Sequence, residues 1–572
     1  MARTLPSNAE LADQFELLAD MLELDGADAF RLTAYRRAAT RIRESAVPVA
    51  QLALDHKATR LSGIGTTIEN KIVEFTETGD LTALAKLRAK LPGGLVEVMH
   101  VPGLGPKTAR KLHAELGIES AADLRTAAEQ GLLASLPGLG KKTEEKVLKE
   151  LGKPQAKIER KTLLGRVLPA VERAVDEVRQ HPAADRVSEA GSVRRRCETV
   201  RDLDIIATAS DPGALTTYFT ELPWVAEIIA RGSTKATVVS HDALRFDLRV
   251  VPPENYGNLL QHFTGSKAHN VAMREEAVGR KLSISEYGVK NVETDEVFHA
   301  SDEEELYEFL GYQWIPPELR ENRGELAAAR AGELPQLVEL ADVQGDLHVH
   351  TDWSDGRAPL EEMVLAAREL GRRYVAICDH ARRLREGRLE RQAEDIVALN
   401  ERIDGIEILS GVEIDIRADG SLDMPDEVLA ERAWVMASIH SGFDKPRSEL
   451  TKRLMSAMEN PHVDCIGHPT GRKINRRDAY DVDFEKLLEK AVETGAFLEI
   501  NSQPDRLDLI DVNARAAGEA GVGIVISTDA HRLHELANLQ LGVAQARRGW
   551  LTRDQIVNAR SWKEIKKRMK KA

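Results

Sequence analysis

Apolar side chains recur at helical spacing through the first part of the chain. The run AELADQFELLADMLEL (9–24) carries an apolar stripe, and DAFRLTAYRRAATRIRES (28–45) follows with its arginines on the polar side. Helix is predicted from Asn8 to about Leu91. Three stretches share one pattern, apolar-x-Gly-apolar-Gly with a lysine six residues after the second glycine: LSGIGTTIENKI (61–72), VPGLGPKTARKL (101–112) and LPGLGKKTEEKV (136–147). Each predicts helix, tight glycine turn, helix. Past residue 157 the period shortens. A helix, LLGRVLPAVERAVDEVRQ, precedes the strand-like runs RVSEAGS, DLDIIATA, WVAEIIARG, KATVVS and LRFDLRVV. A Pro-Pro, a charged helix and another proline between residues 313 and 343 predict a linker packed on its neighbours. From Gly345 onward, seven apolar strand candidates alternate with helical segments such as EEMVLAARELG and FEKLLEKAVETG.

Composition narrows this picture. At 572 residues the chain exceeds a single core, which rarely grows past about 250–300 residues. The 42% hydrophobic fraction is that of a globular protein. No apolar run approaches the roughly twenty residues of a membrane span. MARTLPSNAE lacks the basic-then-apolar layout of a signal peptide, so a cytoplasmic protein without membrane partners is expected. Cys197, Cys378 and Cys465 are far apart and odd in number, which predicts reduced thiols. The net charge of −14 argues mildly against a nucleic-acid binder. Metal-binding carboxylates would inflate that count, however, and RLTAYRRAATRIR and GSVRRR are locally basic.

In the three repeats, Gly63 and Gly65, Gly103 and Gly105, and Gly138 and Gly140 let the backbone approach a phosphate, while the following helix presents unpaired N–H groups. One Gly-x-Gly turn would be only a helix connection; three in one register point to phosphate binding. They resemble helix-hairpin-helix motifs, which hold the DNA backbone without reading bases.

GSVRRRCETVRDLDII (191–206) carries the next chemistry. Asp202 and Asp204, two apart on an extended segment, share a face, and Asp247 lies on another apolar run. Three converging carboxylates repel unless divalent cations sit between them, as in a two-metal phosphoryl-transfer site. Gly191, Ser192 and Arg194–Arg196 offer backbone, hydroxyl and guanidinium donors to a triphosphate. Asp-x-Asp alone would equally suit a solvated edge strand. The full order, GS-x-RR, D-x-D, R-x-D-x-R (Arg245, Asp247, Arg249) and then FTGS (263–266), Asn270 and Arg274, closely resembles the family X DNA polymerases of the polymerase beta group over roughly residues 1–320.

That resemblance implies that Asp202 and Asp204 ligate two Mg²⁺ or Mn²⁺ ions and that Asp247 holds the ion activating the primer 3′-OH. It implies further that Gly191, Ser192 and Arg195 grip the triphosphate of a dNTP, and that Phe263 and Gly265 form the nucleotide-binding turn. Asn270 would touch the base edge and Arg274 brace the template side. His262 stands where the family has an aromatic residue, and Lys267 replaces an acidic one, which bears on sugar discrimination and nucleotide affinity. Lys71 aligns with the Schiff-base lysine of the family's deoxyribose-phosphate lyases. Lys111 and Lys146 occupy the same slot in the other repeats, so the lysine could equally belong to the hairpin. Tyr35 resembles part of the DNA-end pocket, or is a core tyrosine.

Beyond Gly345 the strands end in metal-type residues: His348, His350 and Asp355; His380; Glu413; His440; His468; Asp529 and His531. AFLEINS carries no obvious ligand. Strands alternating with helices, polar at their C-terminal ends, are how (β/α) barrels build a site. His-x-His on a strand puts both imidazoles on one face. The nine positions resemble the PHP (polymerase and histidinol phosphatase) domain, which implies a distorted (β/α)7 barrel with up to three zinc, manganese or iron ions and metal-assisted phosphoester hydrolysis. Arg382, Arg383 and Lys473 would receive DNA phosphates or be solvated charges.

The expected organisation is multidomain, α+β and α/β. It comprises an N-terminal helical hairpin domain (1–92), a tandem helix-hairpin-helix domain (93–155), a nucleotidyltransferase palm (156–250), a nucleotide-binding thumb (251–318), a linker (319–340) and a PHP barrel (341–572). The expected function is gap-filling repair synthesis with 3′–5′ exonuclease, 3′-phosphatase and abasic-site endonuclease activities. The substrate would be gapped, nicked or 3′-blocked DNA, bound by a monomer. The alternatives are a phosphoesterase whose polymerase half only binds DNA, and a non-catalytic DNA-binding scaffold.

Overall fold

A computed structural model describes residues 5–570 except 7, 44, 46–48, 62, 102–103, 137–138, 142–143, 145–146, 149–161 and 385–386. Gly103, Gly138 and Lys146 therefore lie outside the described residues. The chain divides into two units, Met1–Arg160 and Lys161–Ala572. None of its described helices is long and apolar enough to cross a membrane.

The first unit is helical. Asn8–Asp25 and Ala29–Arg43 turn their apolar stripes onto each other, with Leu11, Phe15, Leu18 and Ile42 buried between them. Tyr35 belongs to this core: it is buried and its ring lies 6.2 Å from that of Phe15. Helices Thr66–Thr78 and Pro106–Leu116 follow the first two glycine turns, as the repeats predict.

The second unit opens with a five-stranded mixed sheet in the order Ala184–Glu189, Leu203–Ala209, Arg245–Val251, Lys235–Ser240, Val225–Arg231. Helix Leu164–Arg179 packs Val167, Val171 and Val175 against Leu203, Ile205 and Leu248 of the sheet. Helices Tyr256–Thr264 and Lys267–Gly279, a three-stranded sheet and helix Glu303–Phe309 follow. The stretch 319–340, expected as a linker packed on its neighbours, packs on the element that precedes it. Leu319, Leu326, Ala329 and Leu337 share one core with Met273 and Tyr307. Arg320 is fully buried, donating from Nη1 and Nη2 to Glu303 at 2.5 and 2.9 Å and from Nε to the Ile315 carbonyl. Burial pushes the Glu303 carboxyl up, but Arg320 and Arg194 outweigh it and hold it at about 2. Charge that reads as linker composition is here internal pairing.

Seven parallel strands, Gly345–Val349, Tyr374–Ile377, Glu407–Asp415, Trp434–Ser438, Cys465–Ile466, Phe497–Asn501 and Ile524–Ser527, pair in chain order. The Val349–Ala530 bridge, with His350 N–H donating to the Ala530 carbonyl at 2.9 Å, brings the last strand back to the first and nearly closes a barrel. Alternate residues sort to opposite sides, as strand geometry requires. Tyr374, Ala376, Cys378, Trp434, Met436, Phe497 and Val525 form one cluster, while Val375, Ile377, Val435, Ala437, Leu498 and Ile524 lie in others. The barrel meets the sheet directly. Leu507 and Leu541 enter the palm core, and a Cβ on Gly165 would come within 2.7 Å of Pro504. Arg472 Nη2 donates to Glu198 at 2.6 Å; Arg548 donates to the Arg195 carbonyl (2.9 Å), Glu321 (3.0 Å) and Asp511 (2.8 Å).

Candidate active sites

Asp204 and Asp247 stand opposite each other on the parallel pair Leu203–Ala209 and Arg245–Val251. Thr237 Oγ1 and Arg245 Nε donate to the two oxygens of Asp247 at 2.5 and 3.2 Å. Asp202 is exposed at the entrance to its strand. Burial, then Asp247 and Asp202, push the Asp204 carboxyl up to about 6. Gly191 has φ +68°, and a Cβ there would lie 2.9 Å from Asp204 Oδ2, so the turn lays bare backbone against the carboxylate. The all-oxygen donors of Asp202, Asp204 and Asp247 suit a hard cation such as Mg²⁺ or Mn²⁺, although the three carboxylates are not drawn within 4.8 Å of one another as the barrel ligands are.

Around this triad the expected nucleotide contacts occupy defined places. Gly191 and Ser192 form the one-turn helix Gly191–Arg194. The three arginines expected to stand open to a triphosphate are engaged with protein acceptors, because the turn splays them. Arg194 forms a bidentate pair with Glu303 at 2.9 and 2.8 Å, and Arg196 donates to Glu189 and the Val193 carbonyl. Arg195 donates to Glu321 at 3.1 Å and to the Thr264 carbonyl at 2.5 Å. The Arg249 guanidinium lies 4.4 Å over the Phe263 ring, and Gly265 turns with φ +65°. Asn270 donates from Nδ2 to the His262 carbonyl, and Arg274 donates to His262 Nδ1 at 3.1 Å. His262 thus anchors both side chains that follow it.

In the helical unit, Gly65 and Gly105 are the N-caps of Thr66–Thr78 and Pro106–Leu116, with no side-chain cap. A Cβ at Gly63, Gly65, Gly105 or Gly140 would meet nothing within 4 Å, so these turns offer open backbone. Lys71 is half-buried on helix Thr66–Thr78 and helps hold the Glu74 carboxyl low, after the Thr82 hydrogen bonds.

Among the described residues, groups of ligand-type side chains whose atoms fall within 4.8 Å of one another lie in the barrel mouth: His350, Asp355, His380 and His531; His348, His350 and Asp529; His380, Glu413 and His440. These overlapping groups hold eight of the nine sequence candidates, and His468 Nε2 reaches Glu413 Oε1 at 3.2 Å. His348 Nε2, both ring nitrogens of His350, Glu413 Oε1 and His468 Nδ1 are buried without a hydrogen-bond partner. Such atoms are rare in a native interior, and their convergence fits metal coordination. Burial pushes His440 and His531 down, but neighbouring carboxylates outweigh it and raise them to about 10 and about 9.

Sequence reasoning passed over the residues that orient these ligands. Glu499, fully buried, accepts from His348 Nδ1 (2.7 Å), Ser527 Oγ (2.6 Å) and the His468 N–H (2.5 Å). Asp415 lies 2.5 Å from His440 Nδ1. Both partners leave Nε2 of the imidazole toward the mouth, the usual outer support of a metal ligand. Asp346 accepts from Thr528 N–H and Oγ1 and ties the first strand to the end of the last. A cavity of about 580 Å³ opens over the cluster, lined also by Arg357, Arg382, Lys473, Arg506 and Leu163. Lys473 is held by Asp505 at 2.9 Å; Arg383 is exposed on the turn Ala381–Arg383.

Four family models match the chain: a helix-hairpin-helix domain (residues 6–81), a SAM-like helix-hairpin-helix tandem (95–153), a DNA polymerase beta thumb (259–321) and a PHP domain (346–503). The DNA polymerase/3′-5′ exonuclease PolX of Bacillus subtilis (strain 168) is 40% identical over 564 residues, 97% of this chain and 98% of that protein. A probable phosphatase of Thermoanaerobacter sp. (strain X514) is 32% identical over 225 residues, covering 37% of this chain and 89% of the relative. Another, from Caldanaerobacter subterraneus subsp. tengcongensis, is 35% identical over 199 residues, 32% of this chain and 75% of its own. With a relative matched almost end to end and the polymerase-thumb and PHP segments on one polypeptide, the chain belongs to the PolX family of polymerase and exonuclease proteins.

Proposed function

We propose that this protein is a DNA polymerase with a 3′–5′ exonuclease, filling short gaps in DNA repair. The observation that supports it most is the presence of two separate clusters, the Asp204–Asp247 pair in the sheet and the imidazole-carboxylate mouth of the barrel. Asp202, Asp204 and Asp247 would hold Mg²⁺ or Mn²⁺, and the nine barrel residues up to three zinc, manganese or iron ions. Bound there, such cations supply charge neutralisation and nucleophile activation for phosphoryl transfer.

The chain's own groups do the rest. Thr237 and Arg245 hold Asp247 in orientation, and Gly191 lets the nucleotide-binding turn close on Asp204. Ser192 and Arg195 receive the triphosphate, Arg195 exchanging Glu321 for phosphate. Asn270 meets the base edge and Arg274 the template side. In the barrel, Glu499 and Asp415 keep His348 and His440 aimed at the mouth, while Arg382 and Lys473 receive the DNA phosphates. The glycine turns at Gly63–Gly65, Gly103–Gly105 and Gly138–Gly140 hold the DNA backbone, and Lys71 is the group available for deoxyribose-phosphate lyase chemistry. The same barrel would act on 3′-phosphates and abasic sites. The working form is a cytoplasmic monomer, with its domains at 1–92, 93–155, 156–250, 251–318 and 341–572, and with 319–340 counted with the thumb.

Incubating the protein with a labelled one-nucleotide gap, with and without dNTPs, in Mg²⁺ and in Mn²⁺, tests this. Asp204→Ala should lose extension alone and His350→Ala degradation alone. Extension by Asp247→Ala would instead favour a phosphoesterase whose polymerase half only binds DNA.

A further inference from the structure

The cavity over the barrel cluster has one wall that the roles above leave unused. Among the described residues, all but two of those lining it carry a charge, an imidazole or an amide; the exceptions are Leu163 and Pro504. Leu163 comes from the palm. It lies on the short strand Thr162–Leu163, paired antiparallel with Thr199, and stands directly ahead of helix Leu164–Arg179. The backbone there is fixed. Leu164 is buried in the palm core, its N–H donates to the Glu198 carbonyl at 2.9 Å, and Arg472 of the barrel holds the Glu198 side chain at 2.6 Å. The Leu163 side chain is nonetheless only half-buried, because it faces the cavity instead of the core.

Pro504 belongs to the barrel, on the loop that follows strand Phe497–Asn501. A Cβ on Gly165 would lie 2.7 Å from Pro504 Cβ and 2.8 Å from its Cγ, so the ring rests on bare backbone in the first turn of the palm helix. The loop is held on both sides. Gln503 Nε2 donates to the Asp529 carbonyl at 2.7 Å, and Leu507 is sunk in the palm core. Leu163 and Pro504 thus form a preformed apolar face on rigid supports, which saves the entropy of ordering it around a ligand.

A DNA end brings to this cavity a charged phosphate, a polar sugar and a flat base. The cations and imidazoles of the other walls suit the phosphate, but none of them offers a surface to the apolar face of a base. Apolar side chains such as Leu and Pro are what unstacked bases pack against in other protein–DNA contacts. A substrate without a base has no use for such a face.

We propose that Leu163 and Pro504 form a base-packing subsite of the nuclease mouth, holding the base of the 3′-terminal nucleotide while its phosphodiester is cut. The palm thereby supplies part of the exonuclease's substrate surface. This rests on the reading of the barrel as a 3′–5′ exonuclease.

The test uses the full-length protein in Mn²⁺ with two 5′-labelled single strands of equal length. One ends in a 3′ deoxyadenosine, the other in a tetrahydrofuran residue, which keeps the sugar-phosphate and lacks the base; only the first cleavage is scored. Wild type should cut the nucleotide end about tenfold more efficiently in kcat/KM, through KM, the equivalent of burying about half a leucine side chain. Leu163→Ser should bring that ratio to about threefold or less by raising KM for the nucleotide end, with the tetrahydrofuran end and gap extension unchanged. Leu163→Met, which keeps an apolar face, should retain the preference. Equal slowing of both ends by Leu163→Ser would mean that the side chain only shapes the mouth, and would overturn the proposal. So would a wild type that removes both ends equally well. If wild type cuts neither end, the exonuclease reading itself fails and the subsite with it.

Discussion

Replacing Asp204 by Asn should stabilise the metal-free palm at neutral pH while removing its polymerase activity. Asp204 is half-buried beside Asp247 and Asp202, and its carboxyl is pushed up to about 6 from the ordinary 3.8 of an aspartate. A difference of about two pH units corresponds to roughly 3 kcal/mol, which solvent at the outer edge of the site reduces to about 2 kcal/mol. The sign follows from linkage. The folded pKa is raised, so the folded state binds the proton more tightly than the unfolded chain. The associated stability is complete below pH 3.8, and is lost as pH rises through about 6. An Asn at this position carries no charge at any pH and escapes the loss. Hydrogen exchange of strands Leu203–Ala209 and Arg245–Val251 in EDTA, corrected for intrinsic rates, reads the local opening free energy. The variant should exceed wild type by about 2 kcal/mol at pH 7.5, and the two should converge near pH 4. Millimolar Mg²⁺ should protect wild type and leave the variant unmoved. Equal or weaker protection of the variant at pH 7.5, or a wild type whose protection ignores pH, would refute the crowding of charge on which this depends.

In the barrel, Glu499→Gln removes the negative acceptor behind His348 and should weaken metal retention by about 10–100-fold, read as metal content after dialysis against graded chelator. Arg548→Met leaves the Glu321 and Asp511 carboxylates buried without a main partner and should destabilise this unit by about 3–5 kcal/mol in urea unfolding. Glu321, which Arg548 and Arg195 hold at about 2 against burial, should then rise, so the loss should shrink as pH falls. Chelation by EDTA should abolish both extension and exonuclease activity, with Mg²⁺ alone restoring extension.

Much of the site was legible because its chemistry follows strand period. Asp202-x-Asp204 and the His348-x-His350 pair at the end of Gly345–Val349 are same-face pairs by geometry alone, and the barrel ligands end strands that alternate with helices. The same count reaches Glu499. It shares parity with Phe497 on a strand buried along its whole length, and a carboxylate there must have partners. It went unseen because it sits within the strand, whereas most of the other metal-type residues lie at strand ends. The protein partners of the arginines in Gly191–Arg196 were illegible for the opposite reason. Guanidinium groups in a row suggest a phosphate site, but a single helical turn sends them outward in different directions, and the acceptors Glu303 and Glu321 lie more than a hundred residues away. The 319–340 segment shows the same limit, since the burial of Arg320 depends on a Glu303 that local composition cannot pair with it.

The stitching of barrel to palm by Arg472 and Arg548 has a bearing on how a mismatched end would be corrected. Glu198 and the Arg195 carbonyl lie within a few residues of Asp202, and the barrel arginines grip them from beneath, with Leu507 and Leu541 sunk into the palm interior. A swivel between these two workshops would have to break that seam. A frayed primer tip would have to peel away from the duplex and walk across a stationary surface from the pocket that extends it to the one that trims it.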